Sequence, residues 1–191
     1  MYVDAVLADS FFFTEPYRRK FGEEILPLDL MHKISQFILY NSVRLQDRMR
    51  VVNFDDTRSN WATSPVVTAF LANKLLDERL QWYLHWTEEN FNEPSPVPFH
   101  EYPAFTFIWY DPNLEPRDPG GAAPVKVFPG IGWASIRSGW GTDDVMLGLK
   151  CGATARHVHA DAGHFVLYYK NKCLVMDAGI CGYETPEQNQ Y

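Results

Sequence analysis

The chain has 191 residues, 46% of them hydrophobic and 21% charged, with a formal net charge of −7 at pH 7. That is the balance of a soluble globular protein with one large domain or two small ones. The acid excess argues against a nucleic-acid surface, which needs basic patches, and no apolar run approaches the ~20 residues of a membrane helix, so neither partner is expected.

Residues 1–90 read as helical. Met1–Phe13 is a short apolar segment, closed by the breaker Thr14-Glu15-Pro16. Leu28, Met31, Ile34, Phe37, Ile38 and Val43 recur at three- and four-residue spacing, which predicts a helix over about 27–44 with Pro27 near its first turn. His32 on that helix has no partner in sequence and reads as a surface residue. Residues 45–60 read as a polar connection. Ser64-Pro65 then opens a second helix over about 64–87, with Val67, Phe70, Leu71, Leu75, Leu80 and Leu84 as its apolar stripe. Trp82, Tyr83 and Trp86 at its end suit core packing, with a sugar-stacking groove as the other use.

Residues 91–124 carry eight prolines and Gly120-Gly121 and read as a linker, with Phe105–Trp109 as its one strand-like run. From 125 onward the pattern turns to short strands: 125–128, 132–138, 145–149, then 165–170 and 173–176. Strands joined without helices predict an antiparallel sheet. Three cysteines, Cys151, Cys173 and Cys181, form no C-x-x-C pair and leave the redox compartment open. Met1–Asp9 lacks the basic start of a signal peptide.

The chemistry concentrates in residues 154–179, which hold His157, His159, Asp161, His164 and Asp177. His157 and His159 are two apart, so an extended backbone points both to one face, while His164 falls on the opposite face of a regular strand. A hairpin turning near Asn171-Lys172 brings the H-V-H end beside Asp177. Two imidazoles facing a carboxylate suit a zinc half-site. A lone H-x-H recurs by chance, however, and surface histidines at a loop–strand junction stay open as the alternative.

Two longer stretches resemble a known family. F-P-G-I-G-W-A-S-I-R-S-G-W (128–140), followed by H-V-H-A-D-A-G-H-F-V-L-Y-Y-K-N-K-C-L-V-M-D-A-G (157–179) and Tyr183, is similar to the heparinase II/III-like polysaccharide lyases. N-F-D-D-T at 53–57 resembles a weak version of a family Gly-Asp element, with Asp55 where a Gly is usual. The resemblance covers the β block closely and the helical block only by architecture.

The resemblance implies an α+β multidomain chain: C-terminal helices of an incomplete α/α toroid (1–90), the proline-rich linker (91–124), and a partial antiparallel β-sandwich (125–191). It implies β-elimination of a uronic-acid-containing polysaccharide, heparin/heparan sulfate or alginate-like, in a periplasmic or secreted protein. His157 matches a catalytic histidine. His159 and Asp177 match two ligands of a structural zinc. Tyr183 matches a substrate-contacting tyrosine. Arg137 matches a common family arginine, a substrate-binding candidate if it faces the cleft and structural otherwise. The family's third metal ligand, a histidine, would lie beyond Tyr191, and no residue in 1–90 matches its catalytic tyrosine. The expectation is therefore a piece of a longer lyase with little activity alone. The alternatives are a non-catalytic carbohydrate-binding or scaffold module and, more weakly, a glycoside hydrolase, for which Asp55 and Asp56 are adjacent where opposed carboxylates are needed.

Overall fold

The computed structural model describes residues 2–45, 48–55, 57, 61–88, 102–152, 159 and 161–179. These form five α-helices and two antiparallel sheets, an α+β chain that divides into two compact units. One unit comprises residues 1–39 and 62–119, the other 40–61 and 120–191. These divisions differ from boundaries at 90 and 124: the segment 40–61 belongs with the sheet, and the chain up to 119 with the helices.

The helical unit is built from α1 (Tyr2–Phe21), α2 (Leu28–Tyr40, whose last residue falls in the sheet unit), α3 (Pro65–Leu75), α4 (Glu78–Glu88) and α5 (Pro103–Trp109). α3 is buried from Val66 to Ala72, apolar all round as a central helix must be. Phe11 of α1 stacks on Phe70 of α3 at 4.1 Å, and Trp109 of α5 meets the same Phe70 edge-on at 4.8 Å. The expected break at Pro16 is absent: α1 runs through it. A mid-helix proline costs about 3 kcal/mol, and here packing and a charge cluster offset it. Glu15 is buried and receives Arg18 at 2.7 Å, Arg19 at 2.9 Å and Lys74 of α3 at 3.3 Å.

The single helix expected over 64–87 is two. Leu76 takes a left-handed conformation (φ 51°) that ends α3. The Asp77 carboxylate then accepts the Arg79 and Leu80 N–H groups at 3.1 and 3.4 Å, as an N-cap for α4. Trp82 and Tyr83 are buried, which settles their use as core. The run 105–109, expected as a strand, is helix α5, opened by Pro103 at its first turn. His32 is exposed, as expected. Among the described residues no helix is long and apolar enough to cross a membrane.

The sheet unit holds β1 (Ser42–Leu45) and β2 (Arg48–Val51), a hairpin where a helix end and a polar connection were expected, and the five-stranded antiparallel sheet β3 (Val125–Phe128), β4 (Trp133–Arg137), β5 (Val145–Lys150), β6 (His164–Tyr169) and β7 (Lys172–Val175), in chain order. β6 and β7 turn through Lys170 and Asn171, both at positive φ, one residue earlier than expected. The register puts Val125, Ile136, Leu147, Leu167 and Val175 in one row across the sheet, with Val127, Ala134, Leu149 and Phe165 beside it. This face is apolar, and Val127 is 57% exposed. The opposite face is buried: Met146, Val166 and Tyr168 pack with Val43, Val52 and Phe54 of the 40–61 segment. Gly148 permits that approach, because a Cβ there would lie 3.0–3.2 Å from Val166, Phe54 and Val52.

Arg137 lies on this buried face. Its guanidinium donates to the carbonyls of Tyr40, at 2.8 Å, and Ser42, and stacks on Trp140 at 4.2 Å. Ser135 Oγ donates to the same Tyr40 carbonyl at 2.7 Å. Burial pulls the Arg137 pKa down to about 9, against the opposing negative charge of Asp144. Of the two roles open to Arg137, its surroundings supply the structural one: it fastens the chain at Tyr40–Ser42 to β4.

Candidate metal centre

The β6–β7 hairpin and the turn after β2 meet at Asp177, which is 2% exposed. His159 lies just before β6 and Asp177 just after β7, so the hairpin returns them to one place. The His159 Nδ1 is 3.0 Å from Asp177 Oδ1. Gly179 donates its N–H to that same oxygen at 2.8 Å, at a residue whose φ of 73° favours glycine. The second oxygen accepts the Asp55 N–H at 3.3 Å and lies 3.8 Å from His164 Nε2. His164 therefore points toward Asp177 and not away from it. It lies on the buried face of β6 with Val166 and Tyr168, because the turn at 162–163, with Gly163 at φ 92°, breaks the alternation that would have set it opposite His159. Its Nε2 is buried and has no hydrogen-bond partner among the described residues.

Sequence reasoning missed two members of the cluster. In the sequence Asp55 reads as a departure from a usual glycine and as a poorly placed hydrolase carboxylate, not as part of this cluster. Its φ is 57°, so it keeps the left-handed turn that a glycine would make. Its Oδ1 accepts the His159 N–H at 2.8 Å. Lys150, at the end of β5, is 1% exposed. Its ammonium donates to Asp55 Oδ1 and Asp161 Oδ1, and to the His159 carbonyl at 3.3 Å. A lysine closing an otherwise alternating strand on its buried face was the available signal, since a buried ammonium requires carboxylate partners.

The charges are mutually adjusted. Burial disfavours the Lys150 ammonium, but its hydrogen bonds to Asp161 and Asp55 outweigh burial and the net shift is upward. Burial likewise opposes the Asp161 carboxylate, and Lys150 reverses it, so Asp161 is held below the ordinary carboxylate range. Burial pushes the Tyr168 phenol well above its usual value. Its oxygen accepts the Asn53 N–H at 3.0 Å, which anchors the turn that carries Asp55.

Among the described residues, two groups have ligand atoms within 4.8 Å of one another: Asp55, His159 and Asp177, and Asp161, His164 and Asp177. Imidazole nitrogen with carboxylate oxygen is a donor set that zinc accepts. The buried, unpartnered His164 nitrogen beside Asp177 also fits a cation-binding cluster. His159 and Asp177 are thus brought together. His157 and Tyr183 lie outside the described residues, and Arg137 lies elsewhere in the sheet unit.

Residues 120–191 match the family model described as heparinase II/III-like, C-terminal. None of the curated proteins compared matches the chain. Among solved structures, heparan sulfate lyase HepC from Pedobacter heparinus is similar, at 16% identity and a TM-score of 0.60 over 95% of this chain and 25% of that one. A mutant of the same lyase gives 17% identity and a TM-score of 0.56 over 89% of this chain and 23% of that one. At these identities the likeness is one of fold, and the chain spans about a quarter of the length of those lyases. Residues 120–191 thus carry the sequence match to the heparinase II/III-like C-terminal family model, and the chain is similar in fold to part of a heparan sulfate lyase.

Proposed function

We propose that this chain is part of a polysaccharide lyase that cleaves a uronic-acid-containing polymer, heparin/heparan sulfate or alginate-like, by β-elimination. The observation that carries the reading is that His159 and Asp177, two residues of the family-like stretch, meet at 3.0 Å inside the region that matches the family model. In such a reaction a base removes the proton alpha to the uronate carboxylate. The freed electron pair forms a C=C bond as the glycosidic C–O bond breaks, and an acid protonates the departing oxygen. No water is consumed and nothing is oxidised. Histidine and tyrosine suit both transfers, and positive or hydrogen-bonding groups stabilise the enolate-like charge. His157 is the residue here proposed for proton transfer, and Tyr183 for contact with the sugar. A periplasmic or secreted setting goes with such a substrate.

Zinc is the cofactor that suits the cluster, with His159, Asp177 and Asp55 as its holders in this chain. Bound there, it would brace the segment leading into β6 and need not touch substrate. The Gly179 and Asp55 N–H groups also fix the Asp177 carboxylate, and the Asp55 carboxylate holds the His159 N–H.

The test is an assay on the intact, longer protein with uronate polymers. A lyase releases an unsaturated product that absorbs in the ultraviolet, and this is the expected result. New reducing ends without that absorbance would make it a hydrolase. Retention on immobilised polymer with neither product would make it the binding or scaffold module.

A further inference from the structure

Lys150 is the most deeply buried charge of the cluster and has no part in the chemistry above. It lies on β5, whereas the groups it contacts lie on two other segments: Asp55 on the turn after β2, and His159 and Asp161 on the approach to β6. His159 is gripped at both ends of its backbone unit. Its N–H donates to Asp55 Oδ1 at 2.8 Å, the same oxygen that receives the ammonium, and its carbonyl accepts from the ammonium at 3.3 Å. The imidazole can then meet Asp177 only where this clamp sets it.

We propose that Lys150 is the positioning residue of this centre: its ammonium locks the Asp55 turn to the 159–161 segment and so fixes His159 against Asp177. The zinc consequence rests on the metal reading above, whereas the positioning of His159 does not.

Two roles of Lys150 predict opposite signs. A positive charge beside a cation site repels the ion, so a lysine that acted only as a charge would weaken zinc binding, and its removal would tighten it. A lysine that positions a ligand strengthens binding, and losing such a supporting contact typically costs about 10- to 100-fold in metal affinity. The experiment is Lys150→Met in a chain extended past Tyr191, with zinc affinity measured by chelator competition and amide exchange resolved by residue in NMR. The expected result is zinc binding weaker by about 10-fold or more, with the His159 amide exchanging about 10-fold faster while the β5 and β6 amides keep their rates. A purely structural lysine would instead speed exchange throughout the sheet.

Zinc binding that is unchanged or tighter, or a His159 amide that moves only with the rest of the sheet, overturns the proposal. If the wild-type chain binds no zinc, the metal reading fails and the His159 amide alone decides the role of Lys150. Lys150→Gln, uncharged but still a donor, repeats the measurement should the methionine variant not fold. If neither gives a dispersed spectrum, Lys150 serves the fold and not the site, and the proposal falls.

Discussion

Asp177 accepts hydrogen bonds from two backbone N–H groups and faces an imidazole from each side. Removing its side chain would strand those donors, at about 1–3 kcal/mol each, so Asp177→Asn is the cleaner variant because it keeps an acceptor. In a chain extended past Tyr191, His159→Ala and Asp177→Asn should each lower bound zinc by about 10-fold or more, whereas His157→Ala should leave it unchanged. Metal content per folded chain checks this, and a loss confined to His157→Ala would reverse the roles. Gly148 offers a second test. Val166, Phe54 and Val52 already surround the place where its Cβ would be. Gly148→Val should destabilise the sheet unit by about 1–3 kcal/mol through overpacking, seen as a lower urea midpoint at unchanged slope. The His159–Asp177 meeting was legible because one hairpin makes it, and hairpin geometry is local. Asp55 was not, since it arrives from a segment 104 residues away from His159, and Lys150, though only 9 residues away, falls just outside the strand read over 145–149.

Among the elements, β3 to β7 were read nearly to the residue, because their alternation answers to a sheet with one buried face, whereas β1 and β2 were not read as strands. The helical block was read less well for a shared reason: tertiary partners override local signals. α1 runs through Pro16, with Glu15 beside it held by three cations, one of them on α3. Leu76 adopts a left-handed conformation that no glycine announced. The same Glu15 cluster gives a pH dependence. Arg18 chiefly, with Arg19 and Lys74, lowers the Glu15 pKa from 4.5 to about 2, against the opposing effect of burial. A depressed carboxyl contributes stability that is fully present above its unfolded value and is lost as pH falls toward the folded one. The window is therefore about pH 4.5 down to 2. With Arg18 and Arg19 partly in solvent, the contribution is about 1–2 kcal/mol. Wild type should lose more thermal stability than Glu15→Gln between pH 5 and 2.5, and parallel melting curves would discount the cluster.

Taken whole, the chain covers about a quarter of the lyases it resembles in fold. The purified 191-residue chain is expected to show little or no release of ultraviolet-absorbing product from any uronate polymer, since no residue in 1–90 matches the family's catalytic tyrosine. Robust turnover without a partner would mean that the proton-transfer groups lie within these residues after all.

The sheet unit is discontinuous: the chain enters it at residue 40, leaves after 61 and returns at 120. The early visit supplies Asp55, half of the buried core and the carbonyls that Arg137 grips. A recombination event that carried residues 120–191 alone into another gene would export a sheet with one face stripped and Lys150 deprived of a carboxylate. Its heritable module is therefore larger than its sequence signature, and the intervening helices travel with it as passengers.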